Sequence, residues 1–177
     1  MNPVPFILII VTLPLLLGGC GEKPVSEVKP VEEVPLNPNL KYEIKEGTVT
    51  ITDCDKKASG TITIPATVEG KPVTSIGRMA FAYCGSLSII IGNGVTSIGI
   101  SAFYNCKSLT SITIGNSVTS IGEWAFYGCA SLTVVTFLGD APNVGEDIFE
   151  DSNPPTIYRK PEAKGWGDTW GGRPVKL

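Results

Sequence analysis

The sequence predicts a β-rich α/β solenoid, a coil of short parallel strands with about three full repeats between two capping regions. The segment Val-Thr-Ser-Ile-Gly occurs three times, at offsets of 22 and 23 residues, and the same residue types follow each copy in the same order. One strand of four residues cannot bury its own apolar face, whereas stacked copies can. We therefore expect the isoleucines of successive units to form one continuous core.

Each repeat unit begins with Val-Thr-Ser-Ile-Gly, at Val73, Val95 and Val118. Ala-Phe, a cysteine and Ser-Leu follow, and a short alternating strand such as Ser111–Ile114 closes the unit. Side chains alternate along a strand, so the isoleucines of this segment point inward and Ser111 and Thr113 point outward.

Three short segments, 78–83, 100–105 and 123–128, connect the two strands of each unit. They are too short for full helices, so we expect one helical or 3₁₀ turn in each, with alanine allowing close approach and phenylalanine filling the interior. A glycine precedes each segment and is expected in a backbone conformation that a β-carbon disfavours. These glycines are Gly77, Gly99 and Gly122.

The domain boundaries follow from where the repeat weakens. Residues 40–72 contain strand-like segments but no Ala-Phe or cysteine step, which predicts an N-terminal cap with half a unit. Residues 73–143 form the repeats, and residues 144–177 form a decayed repeat with a C-terminal cap. The tryptophans Trp166 and Trp170 are expected to cover the open end of the core.

The first 19 residues predict a lipoprotein signal peptide. An apolar run from Phe6 to Leu17 ends in Leu-Gly-Gly-Cys, which resembles the bacterial lipobox and assigns lipidation to Cys20. No Lys or Arg precedes this cysteine, so an ordinary cleaved signal and a single-pass anchor remain alternatives. Residues 20–39 are rich in proline and alternating charges, which predicts an extended tether.

The repeat pattern, with Thr-Ile-Tyr at 156–158 and a Gly-Trp-Gly tail, resembles the BspA-like class of bacterial leucine-rich repeats. The resemblance covers residues 42–177 and implies a right-handed leucine-rich-repeat coil. Members of this class are often secreted or surface-anchored, and some are implicated in adhesion to host or matrix proteins. The matching residues are those that build the coil, so the resemblance specifies the fold more closely than the ligand.

Composition excludes several functions. The chain has 177 residues, a net charge of −3 and no histidine. The lack of histidine removes Ser-His-Asp and Cys-His catalysis and most catalytic zinc sites, and the mild acidity argues against nucleic-acid binding. We expect no enzymatic activity, no cofactor and no bound metal, and a monomer because the tail caps the coil.

Threonine rows are the candidate binding surface. Between residues 74 and 139 only Arg78, Lys107 and Glu123 are charged, so the exposed strand faces carry mainly hydroxyl groups. This pattern favours a contact surface for a peptide or glycan. It is also explained by the preference of threonine for exposed strands. The first row contains Thr63, Thr113 and Thr136 with Ile90 between them, and the second contains Thr74, Thr96 and Thr119.

The cysteines and an acidic cluster admit two interpretations each. Cys84, Cys106 and Cys129 follow the repeat spacing, which predicts a buried column of small apolar residues. A disulfide, for example between Cys54 and Cys84, remains an alternative, whereas zinc sites require closer spacing. The acidic residues are predicted to be a solvated part of the cap and lack the spacing of a calcium loop. They are Glu146, Asp147, Glu150 and Asp151, with Asp140 nearby.

These observations predict a non-enzymatic, lipid-anchored repeat module that binds a protein or glycan at the bacterial cell envelope. The expected location is the outer membrane or the cell surface. The alternative is a structural spacer or assembly component of the envelope that has no dedicated ligand.

Overall fold

The computed structural model describes residues 36–85 and 88–177. The predicted signal peptide, the predicted lipidation site at Cys20 and the tether up to residue 35 lie outside the described residues. Within the described ranges, no helix has the length and apolar character that crossing a membrane requires.

Short strands alternate with turns along the described chain. Most strands contain two to six residues, and β2 contains seven. They are β1 (Leu40–Lys45), β2 (Thr48–Cys54), β3 (Thr61–Ile64), β4 (Thr67–Val68), β5 (Lys71–Ile76), β6 (Ser88–Ile91), β7 (Ser97–Ile98), β8 (Ser111–Ile114), β9 (Ser120–Ile121), β10 (Val134–Phe137), β11 (Asn143–Val144), β12 (Thr156–Arg159), β13 (Thr169–Trp170) and β14 (Arg173–Lys176).

The strands form two sheets, and the chain visits them alternately. The first sheet has the order β1-β2-β5-β7-β9-β11, with β4 paired to β5, and the second has the order β13-β14-β12-β10-β8-β6-β3. Each coil contains one strand from each sheet. The first coil contains β2 and β3, and the fifth coil contains β11 and β12. The pairing between successive coils is parallel.

The structure corrects the expected number of repeats from about three to about five coils. The first and fifth coils lack the complete repeat signature, yet their strands pair in the same way as the inner ones. Thr61 pairs with Ser88 at one end, and Val134 pairs with Thr156 at the other. Main-chain pairing and buried apolar residues are sufficient to extend the coil, and neither requires the Ala-Phe or cysteine step.

Columns of identical side chains fill the interior. One phenylalanine from each of four successive coils stacks on the next, with ring centroids 5.1, 5.2 and 5.5 Å apart. The isoleucines of the repeat are buried beside them. The stacked rings are Phe81, Phe103, Phe126 and Phe149.

The expectation of a helical or 3₁₀ turn between the strands is wrong. In the described ranges these segments form hydrogen-bonded turns, and no helix occurs. The Phe81 N–H donates to the Ala102 carbonyl of the next coil at 2.7 Å. The Met79 and Tyr83 N–H groups donate in the same way to the Ile100 and Tyr104 carbonyls. Because alternate N–H groups bond to the neighbouring coil, they cannot make the i→i−4 bonds of a helix.

These bonds form a third ladder beside the two sheets, which we call the turn ladder. It continues from Ser101, Phe103 and Asn105 to the fourth coil, and then to the fifth. The first donor residue of each turn segment has a positive φ, for example 56° at Met79 and 53° at Trp124. A helical backbone does not contain such residues, so the turn ladder replaces the helix throughout the coil.

The glycine expectation also needs correction. Gly77, Gly99 and Gly122 do not have positive φ values. A β-carbon on Gly99 would lie 2.7 Å from the Arg78 nitrogen, and one on Gly122 would lie 2.6 Å from the Ile100 nitrogen. Glycine is therefore required because adjacent coils approach closely at this corner.

The C-terminal tail packs on the last coils. The Trp170 ring lies 4.8 Å from Phe137 and 6.2 Å from Phe149, centroid to centroid. Its Nε1 donates to the Pro142 carbonyl at 3.1 Å, and the Trp166 Nε1 donates to the Gly139 carbonyl at 3.3 Å. Both tryptophans thus bury apolar ring surface and satisfy their single donor.

Candidate functional site

The first threonine row lies on the second sheet. Thr63 pairs with Ile90, Ile90 pairs with Thr113, and Thr113 pairs with Thr136. Thr63 is exposed, whereas Thr113 and Thr136 are half-buried. Their hydroxyls make no hydrogen bond to another described residue, so they are available to a ligand. The role of this row in binding stays a prediction.

The second threonine row lies on the first sheet and has different chemistry. The Thr96 hydroxyl donates to the Thr74 carbonyl at 3.1 Å, and the Thr119 hydroxyl donates to the Thr96 carbonyl at 3.2 Å. The hydroxyl protons of Thr96 and Thr119 thus link adjacent coils. The two rows belong to different sheets, so the six threonines do not form one continuous hydrogen-bonded surface.

The turn segments expose a third surface, which we call the aromatic turn face. Its most exposed members are Tyr83, with 55% of its surface accessible, Met79, with 42%, and Trp124, with 41%. Large apolar side chains at this level of exposure, grouped on one face, are unusual for a solvated surface. The face comprises Met79, Tyr83, Ile100, Tyr104, Trp124 and Tyr127.

The tyrosines of this face are in mutual contact. The rings of Tyr104 and Tyr127 are parallel, with an interplanar angle of 6° and centroids 4.9 Å apart. Tyr83 packs edge-on against Tyr104 at 5.8 Å. The Tyr127 hydroxyl donates to the Asp151 carboxylate, and this hydrogen bond raises the pKa of Tyr127 to about 12. The stack therefore presents ring edges and hydroxyl groups in a fixed arrangement.

Sequence reasoning missed this face, although a signal was present. Tyr104 and Tyr127 each follow the buried phenylalanine of their repeat and are 23 residues apart. The repeat pattern predicts which residues of the turn segments point inward, but not which outward residues become neighbours. The tyrosines become neighbours because the turn ladder stacks the turn segments directly on one another.

The cysteines form the predicted buried column and act as donors. The Cys106 thiol donates to the Phe81 carbonyl at 2.9 Å, and the Cys129 thiol donates to the Phe103 carbonyl at 3.1 Å. Cys54, Cys84, Cys106 and Cys129 are all unbridged. A hydrogen bond with Cys129, together with burial, raises the pKa of the Cys106 thiol. In the fifth coil Ser152 takes the same place, and its hydroxyl donates to the Phe126 carbonyl.

The acidic cluster is exposed. Asp151 accepts the Tyr127 hydroxyl, and Asp140 accepts the Lys164 N–H at 2.7 Å. In residues 36–85 and 88–177, no three His, Cys, Asp or Glu side chains are grouped so that they could hold a metal ion.

Stacked coils, each with one strand in two parallel sheets, define the class of leucine-rich-repeat solenoids. The chain belongs to the family of BspA type leucine-rich repeat regions, whose model matches residues 56–163 in six copies.

Solved structures of bacterial leucine-rich-repeat proteins are similar to this fold. One from Bacteroides capillosus is 30% identical with a TM-score of 0.60, and the match covers 69% of this chain and 94% of that one. One from Bacteroides ovatus is 27% identical with a TM-score of 0.55, covering 79% of this chain and 36% of that one. The T. pallidum leucine-rich-repeat protein shares the fold at 20% identity and a TM-score of 0.50, covering 70% and 71%. No curated protein matches the chain.

Proposed function

We propose that this protein is a non-enzymatic, lipid-anchored module that binds a partner protein at the bacterial cell envelope through the aromatic turn face. The observation that carries the proposal is that the turn ladder stacks the turn segments on one side of the coil, where they expose Trp124, Tyr83 and Met79. Tryptophan and tyrosine are the residues that most often dominate the binding energy of protein interfaces.

The geometry favours a protein over a glycan. Tyr104 and Tyr127 cover each other's ring faces, so their edges and hydroxyls are what a partner meets. Sugars commonly pack on open ring faces, whereas protein side chains also accept edge-to-face contacts. Met79 and Ile100 add exposed apolar surface to the same turn segments. Arg78, Glu123 and Asp151 supply charges at the edge of this face. The expected partner therefore presents an apolar patch with hydrogen-bond acceptors at its rim.

The envelope location rests on Cys20 and on the family. The lipobox-like segment supports acylation at Cys20, and a tether of residues 20–39 would hold the coil away from the membrane. Protease treatment of intact cells that carry a C-terminal tag tests this part. Loss of the tag places the domain outside the cell. Protection until the outer membrane is permeabilised would place it in the periplasm and favour the structural-spacer function.

Two variants separate the candidate surfaces. The first, Tyr104→Ser with Trp124→Ser, alters the aromatic turn face. The second replaces Thr96, Thr113 and Thr119 by glutamate and alters both threonine rows. Binding of the non-acylated chain from residue 20 to immobilised matrix proteins and to a glycan array is measured for both variants and the parent.

We expect the aromatic variant to lose protein binding at least tenfold and the threonine variant to retain it. Both variants should remain folded at the assay temperature, with a lower melting temperature for the threonine variant because it loses two hydrogen bonds between coils. Loss in the threonine variant alone would transfer the function to the threonine rows. Binding to glycans but to no protein would correct the partner class. If the parent binds neither proteins nor glycans, the spacer function replaces the proposal.

A further inference from the structure

The turn ladder ends at the fifth coil with donors that no described residue accepts. In each inner coil, alternate N–H groups of the turn segment donate to the next coil, as in the bond of 3.0 Å from Phe126 to the Ile148 carbonyl. The corresponding N–H groups of the fifth coil belong to Asp147, Phe149 and Asp151, and none bonds to another residue in 36–85 or 88–177. The carbonyls of Ile148 and Glu150 are already used by the fourth coil.

A pocket occupies the place that a sixth coil would take. Its volume is about 410 Å³, which lies within the usual range for small-molecule sites. Asp147, Phe149 and Glu150 line one side, and the cap residues Gly171, Gly172 and Arg173 line the other. The cap therefore covers the second sheet and the core but leaves this part of the turn ladder open.

Arg173 contributes a further unsatisfied donor. Its guanidinium lies over the Phe149 ring at 5.9 Å, and one terminal nitrogen donates to the Phe149 carbonyl at 3.3 Å. Its Nε is buried and has no partner among the described residues. A buried N–H without an acceptor is costly, and native structures usually supply one from water, an ion or a ligand.

The chemistry of the lining defines the ligand. The main-chain N–H groups and the Arg173 guanidinium are donors, so the ligand must present acceptor oxygens, and the guanidinium favours a carboxylate. The exposed carboxylates of Asp147 and Glu150 at the same pocket would repel a simple anion. A ligand that carries an ammonium group close to its carboxylate satisfies both sets of residues.

We propose that this pocket binds a carboxylate with a neighbouring ammonium group. The carboxylate would lie on the open N–H groups beside the Arg173 guanidinium, and the ammonium would lie between Asp147 and Glu150. Two sources have this chemistry: a free α-amino acid, and a peptide that ends in a basic residue. The site is separate from the aromatic turn face and does not depend on the partner proposed there.

Amide chemical shifts of the ¹⁵N-labelled chain from residue 20 test the site directly. L-Alanine and acetyl-Gly-Lys represent the two sources. Nα-acetyl-L-alanine, which lacks the ammonium, and L-alaninamide, which lacks the carboxylate, are the controls. At least one of the two source compounds should shift the amides of Asp147, Phe149 and the cap with a dissociation constant of about 1 mM or lower. The controls should bind at least tenfold more weakly.

The variants assign the residues. Arg173→Lys keeps the charge but removes the planar guanidinium, and is expected to weaken binding at least tenfold. Glu150→Gln, at an exposed side chain, is expected to weaken it several-fold without disturbing the cap. Arg159→Lys is the matched control, since Arg159 donates to the Lys160 and Pro161 carbonyls outside the pocket.

Each outcome decides the proposal. Binding by L-alanine alone identifies a free amino acid, and binding by acetyl-Gly-Lys alone identifies a peptide end. Equal binding by the controls, or no shift with either source compound, overturns the proposal. So does undiminished binding by Glu150→Gln together with Arg173→Lys, each folded as judged by its amide spectrum.

Discussion

The fourth coil and the fifth coil have the same backbone although their sequences differ. Ile121 pairs with Val144, and the rings of Phe126 and Phe149 stack at 5.5 Å. Ile121 is 2% exposed, whereas Val144 is 37% exposed because no further strand of the first sheet covers it. An inner coil is constrained by coils on both sides. In the first sheet the last coil has a neighbour on one side only, so its side chains vary there while its main-chain bonds persist.

The largest expected difference between the two coils concerns a charge at the paired strand position. Ile121→Asp buries an unpaired carboxylate and should destabilise the fold by more than about 4 kcal/mol, which leaves the chain unfolded. Val144→Asp places the same group at a partly exposed edge and should cost about 1 kcal/mol or less. Circular dichroism and thermal unfolding measure both variants. Similar melting of the two variants would contradict the assignment of inner and terminal coils.

A smaller effect is expected at the glycine corner of an inner coil. A β-carbon at Gly122 would lie 2.6 Å from the Ile100 nitrogen, so Gly122→Ala must push two coils apart and should cost about 3 kcal/mol. Gly167→Ala is the control, because the nearest atom there is 3.7 Å away. Urea unfolding gives both values. If both alanine variants unfold at the same urea concentration as the parent, close approach does not explain the repeated glycine.

The fourth and fifth coils also differ in the cysteine column. Ser152 of the fifth coil shows that a hydroxyl can replace the thiol. Cys106→Ser keeps a donor for the Phe81 carbonyl, whereas Cys106→Ala loses the hydrogen bond and leaves a small cavity. The alanine variant should be about 1 kcal/mol less stable than the serine variant. The reverse order would show that the thiol acts through its apolar surface alone.

The smallest effect concerns the pKa of Tyr127, whose hydroxyl in the fourth coil donates to Asp151 in the fifth. The bond from Tyr127 to Asp151 favours the neutral phenol, so the folded pKa of about 12 exceeds the unfolded value near 10. The stabilisation is fully present below about pH 10 and is lost as the pH rises through about 12. Asp151→Asn should move the pKa of Tyr127 back toward about 10, seen as tyrosinate absorbance. An unchanged absorbance titration would remove Asp151 as the cause.

Much of the fold could be predicted because the repeat carries it. The phase of Ile98, Phe103 and Cys106 within one unit predicted which side chains form the buried columns. The first and fifth coils were predicted only as half a unit and a decayed repeat, because their strands are held by main-chain bonds that leave little trace in side-chain identity. The turn segments were expected to be helical because local residue preference favoured it, but bonds to the next coil compete successfully with local ones.

The candidate binding surfaces were likewise predictable only in part. The threonine rows were found from strand alternation, yet the use of the Thr96 and Thr119 hydroxyls between coils depends on atoms 22 or 23 residues away. The aromatic turn face went unrecognised because Tyr104 and Tyr127 become neighbours only when the turn ladder stacks their segments. The pocket beside Arg173 depends on how the tail closes the coil, which no repeat encodes.

The sequence by itself determined that the chain coils, that the coil belongs to the BspA type of leucine-rich repeat, and that phenylalanine, isoleucine and cysteine form its interior. These properties follow from periodicity, since identical residues at a fixed spacing must stack when the units do. Tertiary structure alone decided the number of coils, the absence of helices in the described ranges, and the groups left open to a ligand. Those features depend on which main-chain donors and acceptors find partners in the next coil, and that pairing is set by contacts distant in sequence.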